Sequence, residues 1–198
     1  MTQYDHRGRP KEFDENTVVN AAMVSFWTQG YEACSLADLL NATGLSKSSF
    51  YQSFGSKKHM FVTSLNYYSE VETAALRNLI HDARDGKAFF RDLIDSFCNK
   101  TTPHWRAGCL IANTAAEFGQ EDPDIAQALK KGLTNFRQTF EMALVKGQED
   151  GSLPSNKPVT DRASYALVAL NGLRTMVKAG MDDAQIRKAG NMILMTLE

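Results

Sequence analysis

The chain of 198 residues is expected to fold as an all-α protein. Three observations predict this class. Prolines stand only at 10, 103, 123, 154 and 158, where they punctuate segments and do not interrupt them. Between them the apolar residues recur at helical spacing. No stretch alternates with the period of two that a half-buried strand requires. The segments add up to about nine helices.

The first helix is expected from about Asp14 to Gln29, with Val19, Ala22, Met23, Phe26 and Trp27 as its apolar stripe and Gly30 as its stop. In "CSLADLLNATG", Ser35 and Asp38 have capping-box spacing, Leu36, Leu39 and Leu40 form the buried face, and Gly44 ends the helix. A third helix starts at Ser46. A fourth starts after Gly55 with Ser56 as its cap and runs to about Ala83. Further helices are expected near 87–99, 108–119, 124–149, 160–179 and 182–197, separated by "KTTPHW", "GQEDPD", "EDGSLPSNKP" and "AGMDD". The run "YALVALNGLRTMV" is apolar on nearly all sides, the mark of a helix buried in a core or an interface.

Composition sets the class of function. A hydrophobic fraction of 43% and a charged fraction of 23% are ordinary for a soluble globular protein. No apolar run approaches the roughly 20 residues of a membrane helix, so no membrane partner is expected. "MTQYDHRGRPKEF" carries no apolar core of a signal peptide. Cys34, Cys98 and Cys109 show no C-x-x-C spacing, which favours a reducing, cytoplasmic setting. A net charge of −1 argues against a protein that coats nucleic acid indiscriminately, but a specific reader needs only a local basic footprint.

Such a footprint is available at "GLSKSSFYQSF", residues 44–54. Two short helices joined by "ATGLS" have the spacing of a helix-turn-helix, with Gly44 permitting the turn and Leu45 placed to staple against Phe50. Phe50 and Phe54 are four apart and share the core face. The opposite arc is centred on Ser48, Ser49 and Gln52 and flanked by Lys47 and Tyr51. Ser and Gln side chains bond to base edges, while Lys and Tyr reach phosphates or bases from the sides. A serine-rich first turn can equally be no more than a good cap. The flanks add cations: Arg7, Arg9 and Lys11 on an arm before the first helix, and Lys57 and Lys58 at the start of the fourth, where free backbone N–H groups favour a phosphate.

Taken together, residues 7–61 resemble the DNA-binding domain of the tetracycline-repressor family of transcription regulators. The helix, G-Y, S-L-x-D-L, G-x-S-K-S-S-F-Y and F-x-S-K-K elements occur in order. "GCLIANTAAEF" followed by "DPDIAQALKKG" is similar to the ligand-domain signature of one subgroup. The resemblance implies a DNA-binding domain over 1–60 and an effector-binding and dimerisation domain over 61–198. It turns Lys47, Ser48, Ser49, Tyr51, Gln52 and Ser53 towards DNA and puts Ser35 and Lys57 at helix N-termini that hold the DNA backbone. Gly55 stands where many relatives carry an acidic or basic residue. The implied partners are a double-stranded operator, an unidentified small-molecule effector and a second copy bound through residues 160–197. The implied function is a repressor released from a palindromic operator by a small molecule.

No cofactor, metal or catalytic residue is expected. His6, His59, His81 and His104 stand alone, without metal-ligand spacing, and no phosphate-binding loop or G-x-S-x-G is present. Cys109 with His104 as a thiol enzyme lacks a nameable oxyanion donor or orienting acid. Trp105, Phe89, Phe90, Phe97, Phe118, Phe136 and Phe140 can wall an apolar cavity or serve as plain core, and the effector site is expected around Trp105, Cys109 and Asn113. Cys109 opens a helix beside Arg106, two features that activate a thiol towards electrophiles and oxidants; a buried inert thiol is the alternative.

Overall fold

The computed structural model describes residues 14–99 and 104–198, and those residues form nine helices and no strand. In order they are α1 (Glu15–Gln29), α2 (Leu36–Thr43), α3 (Lys47–Phe54), α4 (Lys57–Asp82), α5 (Gly86–Ser96), α6 (Leu110–Phe118), α7 (Pro123–Glu149), α8 (Val159–Lys178) and α9 (Asp183–Leu197). Each expected helix is present, with ends shifted by up to three residues.

The N-terminal helices start on side chains that take up their unpaired N–H groups. Asp14 caps α1, and Ser35, Ser46 and Ser56 cap α2, α3 and α4 by accepting from Asp38, Ser49 and His59. The capping box of α2 is complete: the Ser35 hydroxyl accepts from the Asp38 N–H at 3.2 Å, and the Asp38 carboxylate accepts from the Ser35 N–H at 2.8 Å. Gly44 ends α2 at φ 69°, a left-handed conformation that a β-carbon would strain, and so turns the chain directly into α3.

Phe26, Leu39, Phe50, Phe54 and Phe61 close the core between α1, α2, α3 and the start of α4. At the far end of α4 the Lys146 ammonium donates to the Ile80 and Ala83 carbonyls at 2.6 and 2.7 Å, satisfying acceptors that the helix leaves open. α7 is the central post of the C-terminal helices and packs on α4, α5, α6 and α8, while α9 closes over α5 and α8. α5 crosses α7 so closely that a β-carbon on Gly86 would stand 2.3 Å from the Gly147 backbone, so this crossing requires glycine. The division expected at residue 60 falls inside α4.

α8 is apolar on two faces for two reasons. Ala163, Ala166, Leu170, Leu173 and Val177 are buried inside the subunit. Val168 (73% exposed) lies on the other face, and Met192 (61%) and Met195 (65%) of α9 are exposed as well. Leu170 and Ile193, both buried within the subunit, are therefore core positions and not open to a second copy. No helix of the described residues is long and apolar enough to cross a membrane.

Candidate nucleic-acid interface and ligand cavity

α3 divides as its spacing requires. Phe50 and Phe54 are buried, whereas Lys47, Ser48, Tyr51 and Gln52 are exposed, with Ser49 and Ser53 half-buried at the edges. No acidic residue stands in its first turn. The Ser49 hydroxyl is 2.9 Å from the Ser46 hydroxyl, so it shares in the cap. Ser35 is exposed at the start of α2, but its hydroxyl already donates to the Asp38 carboxylate at 2.6 Å while capping. Those bonds hold the Asp38 carboxyl below the usual carboxylate range.

The two lysines of α4 part company. Lys57 lies over the Tyr31 ring, its ammonium 4.3 Å from the centroid, and keeps its hydrogen-bond donors for a further partner. Lys58, expected to favour a phosphate, is instead clasped by Asp122 at 3.1 Å and Asp124 at 2.7 Å at the start of α7. Two carboxylates neutralise it, so it adds nothing to a basic footprint. Arg7, Arg9 and Lys11 of the arm lie outside the described residues.

Behind this face lies a cavity of about 190 Å³ between α4, α5, α7 and α8. Leu76, Leu93, Phe97, Trp105, Phe136, Phe140, Leu170 and Val177 give it apolar walls, and Glu72, Ser96, Cys109, Asn171 and Arg174 are its polar members. Of the expected aromatics, Phe89 and Phe90 are fully buried core, and Phe118 packs on Tyr31 and Phe61. Asn113 is not on the cavity wall. Its amide donates to the Ala107 carbonyl at 2.8 Å and holds the loop before α6.

Cys109 is buried and sits at the N-cap of α6, where it makes no side-chain cap bond. Arg106, the cation expected beside it, lies over the Trp105 ring at 4.5 Å. The cation that interacts with Cys109 is Arg174 of α8. Burial works against the Arg174 charge, and the Glu72 carboxylate beside it favours the charge. Burial also pushes the Tyr68 phenol well above its ordinary range, with the Cys109 thiol as a polar neighbour of its hydroxyl.

One carbonyl joins the cavity to the N-terminal helices. Gly108 O accepts from the Arg174 guanidinium at 3.0 Å and from the Trp27 indole N–H of α1 at 3.1 Å. The other end of α6 is tied in the same direction: the Glu117 carboxylate accepts from the Tyr31 and Glu32 N–H groups at 3.3 and 3.1 Å, in the turn after α1. Trp27, Gly108, Glu117 and Arg174 were not legible as site residues. Only Arg174 left a signal, as the one charge in the otherwise uncharged run "YALVALNGLRTMV".

A polar, acid-free helix presented beyond a tight glycine turn, above a helical body with its own cavity, defines a helix-turn-helix regulator. The chain belongs to the tetracycline-repressor family: residues 18–63 match the bacterial regulatory proteins of the tetR family, and residues 86–193 match the tetracyclin repressor-like C-terminal domain. It is 30% identical over 185 residues to the HTH-type transcriptional repressor ComR of Escherichia coli K12, covering 88% of this chain and 84% of that protein. Among solved structures, a cysteine-substituted form of the TetR-family regulator CifR with 26-base-pair operator DNA superposes with a TM-score of 0.76 at 25% identity, covering 96% of this chain and all of that one (100%). Reduced NemR of E. coli shares the fold with a TM-score of 0.78 at 20% identity, covering 89% of this chain and 93% of its own.

Proposed function

We propose that this protein is a ligand-responsive transcriptional repressor that binds a near-palindromic operator as a homodimer and is released by a small molecule in the α4–α8 cavity. Residues 1–60 form the DNA-reading head and 61–198 the effector and dimerisation body. Gln52 and Ser48 read bases, with Lys47, Ser49, Tyr51 and Ser53 around them. Lys57, Ser35, Arg7 and Arg9 follow the backbone. The apolar faces of α8 and α9 around Val168, Met192 and Met195 pair two subunits into a four-helix bundle, and exposed apolar area of this kind favours such closure. Acting on DNA places the protein in the cytoplasm, and nothing in the role asks for catalysis.

The observation that carries this reading is the shared Gly108 carbonyl. A ligand that draws Arg174 towards itself takes away one of the two donors on that oxygen and alters the seat of Trp27, hence of α1 and the head. Coupling of this kind is reciprocal, so operator DNA weakens ligand binding by the same factor. A footprint on the DNA flanking the gene tests the first half. Two protected half-sites are expected, with centres about 34–36 Å apart or a multiple of it. Protection without symmetry, or none, would reject it.

A second reading rests on Cys109, which lines the same cavity beside Arg174. Alkylation or oxidation of this thiol would fill the cavity as a ligand does. Treating the protein–operator complex with a small quinone separates the two readings. Release in the wild type but not in Cys109→Ser makes the thiol the switch; equal behaviour removes it.

A further inference from the structure

The polar lining of the cavity has an uneven hydrogen-bond balance that bears on the ligand. Arg174 brings five N–H donors in a planar fork. One is well used on Gly108 O at 3.0 Å, and another points to Glu72 at 3.4 Å, longer than the roughly 2.7–2.9 Å of a strong charge-assisted bond. About a quarter of the Arg174 side chain (24%) stays accessible although the residue lies deep in the body, and the cavity it lines accounts for that opening. The Arg174 fork therefore has donors to spare, and their complement is an acceptor.

Charge narrows the choice. Arg174 is the cavity's one cation and Glu72 its one carboxylate. A dianion would meet Glu72 repulsion with a single cation to offset it, whereas a monoanion can displace the loosely held Glu72 and take the fork. Shape narrows it further. Phe97, Trp105, Phe136 and Phe140 wall a space of about 190 Å³. An apolar cavity of about 150 Å³ is enough to hold benzene, so one substituted ring fits here.

We propose that the cavity binds a single-ring aromatic monocarboxylate, its carboxylate on the Arg174 fork and its ring among Phe97, Trp105 and Phe140. This deepens the effector reading and rests on it for its regulatory consequence, but the binding itself needs no DNA.

The test is calorimetric titration of the full-length protein, without DNA, with benzoate and with its neutral isostere benzamide. Benzoate should bind one per subunit, and benzamide about 10- to 100-fold more weakly, the range for one hydrogen bond to a charged group. Arg174→Gln should bring benzoate down to the level of benzamide. Glu72→Gln, which removes the competing carboxylate and keeps the fold of α4, should tighten benzoate. That variant decides the matter if Arg174→Gln fails to fold. Equal binding of the two probes, absence of binding by either, or weaker benzoate binding in Glu72→Gln overturns the assignment. Failure of the operator footprint overturns the repressor reading alone, because no step of this titration uses DNA.

Discussion

In the N-terminal helices Ser35, Ser46 and Ser56 each spend a hydroxyl on a helix cap, and the unspent polar groups (Lys47, Ser48, Tyr51 and Gln52) face outward. In the C-terminal helices the unspent donors face inward, where the Arg174 fork lines a cavity. An outward set suits a partner too large to enclose, and an inward set suits one small enough to surround. The difference teaches that hydrogen-bond capacity left unused, more than charge or hydrophobicity, marks where each half of this protein meets its partner. Net charge is silent on both, since residues 1–60 hold six basic and six acidic side chains.

The sharpest way to break the comparison is to destroy one half and watch the other. Phe50, fully buried, fixes α3 against the head core. Phe50→Ala should cost the head about 3–5 kcal/mol and abolish operator binding. Hydrogen exchange should then show rapid exchange in α1–α3 with α7 and α8 still protected. Uniform loss of protection would mean that the halves do not fold separately.

Next in size is a pair of substitutions on α8, two residues apart. Val168→Asp places a charge on the exposed face and should give folded monomers in sedimentation. Leu170→Asp buries an unpaired charge inside the subunit and should unfold it. Dimers persisting in Val168→Asp would move the subunit contact elsewhere.

A smaller effect is expected at the α2 cap. Ser35→Ala should cost about 1 kcal/mol in denaturant melts, the usual worth of such a cap. Its partner Asp38 has a carboxyl held below its ordinary range by the Ser35 side chain and then the Ser35 backbone. A depressed carboxylate contributes stability that is present above its unfolded pKa and is lost as pH falls through the lower folded value. The difference between wild type and Ser35→Ala should therefore be full at neutral pH and shrink in acid. A difference that grows in acid would contradict the capping-box account.

The head was legible in the sequence because its logic is local. Caps, the Gly44 turn and the opposition of Phe50 to Gln52 all operate within four residues along the chain. The cavity was not legible, because its lining is gathered from α4, α5, α7, α8 and the loop before α6, which lie far apart along the chain. Trp105 and Cys109 were named from their segment, but Asn113 from the same segment holds a loop. Arg174, which organises the polar floor, stood as the one charge in the apolar run "YALVALNGLRTMV" of α8. Lys58 shows the same limit from the other side: beside Lys57 it looks like part of a phosphate clamp, and only the approach of α7 reveals its carboxylate partners.

The claim that the outward face of α3 reads bases is tested most directly by operator affinity across all single-base-pair variants, for wild type, Gln52→Ala and Lys57→Ala. Gln52→Ala should lose about 1–3 kcal/mol on the preferred operator and flatten the preference at one position in each half-site. Lys57→Ala should weaken every sequence alike and reduce the salt dependence. If Gln52→Ala kept both the affinity and the ranking of the wild type, the assignment of the reading face to α3 would be contradicted.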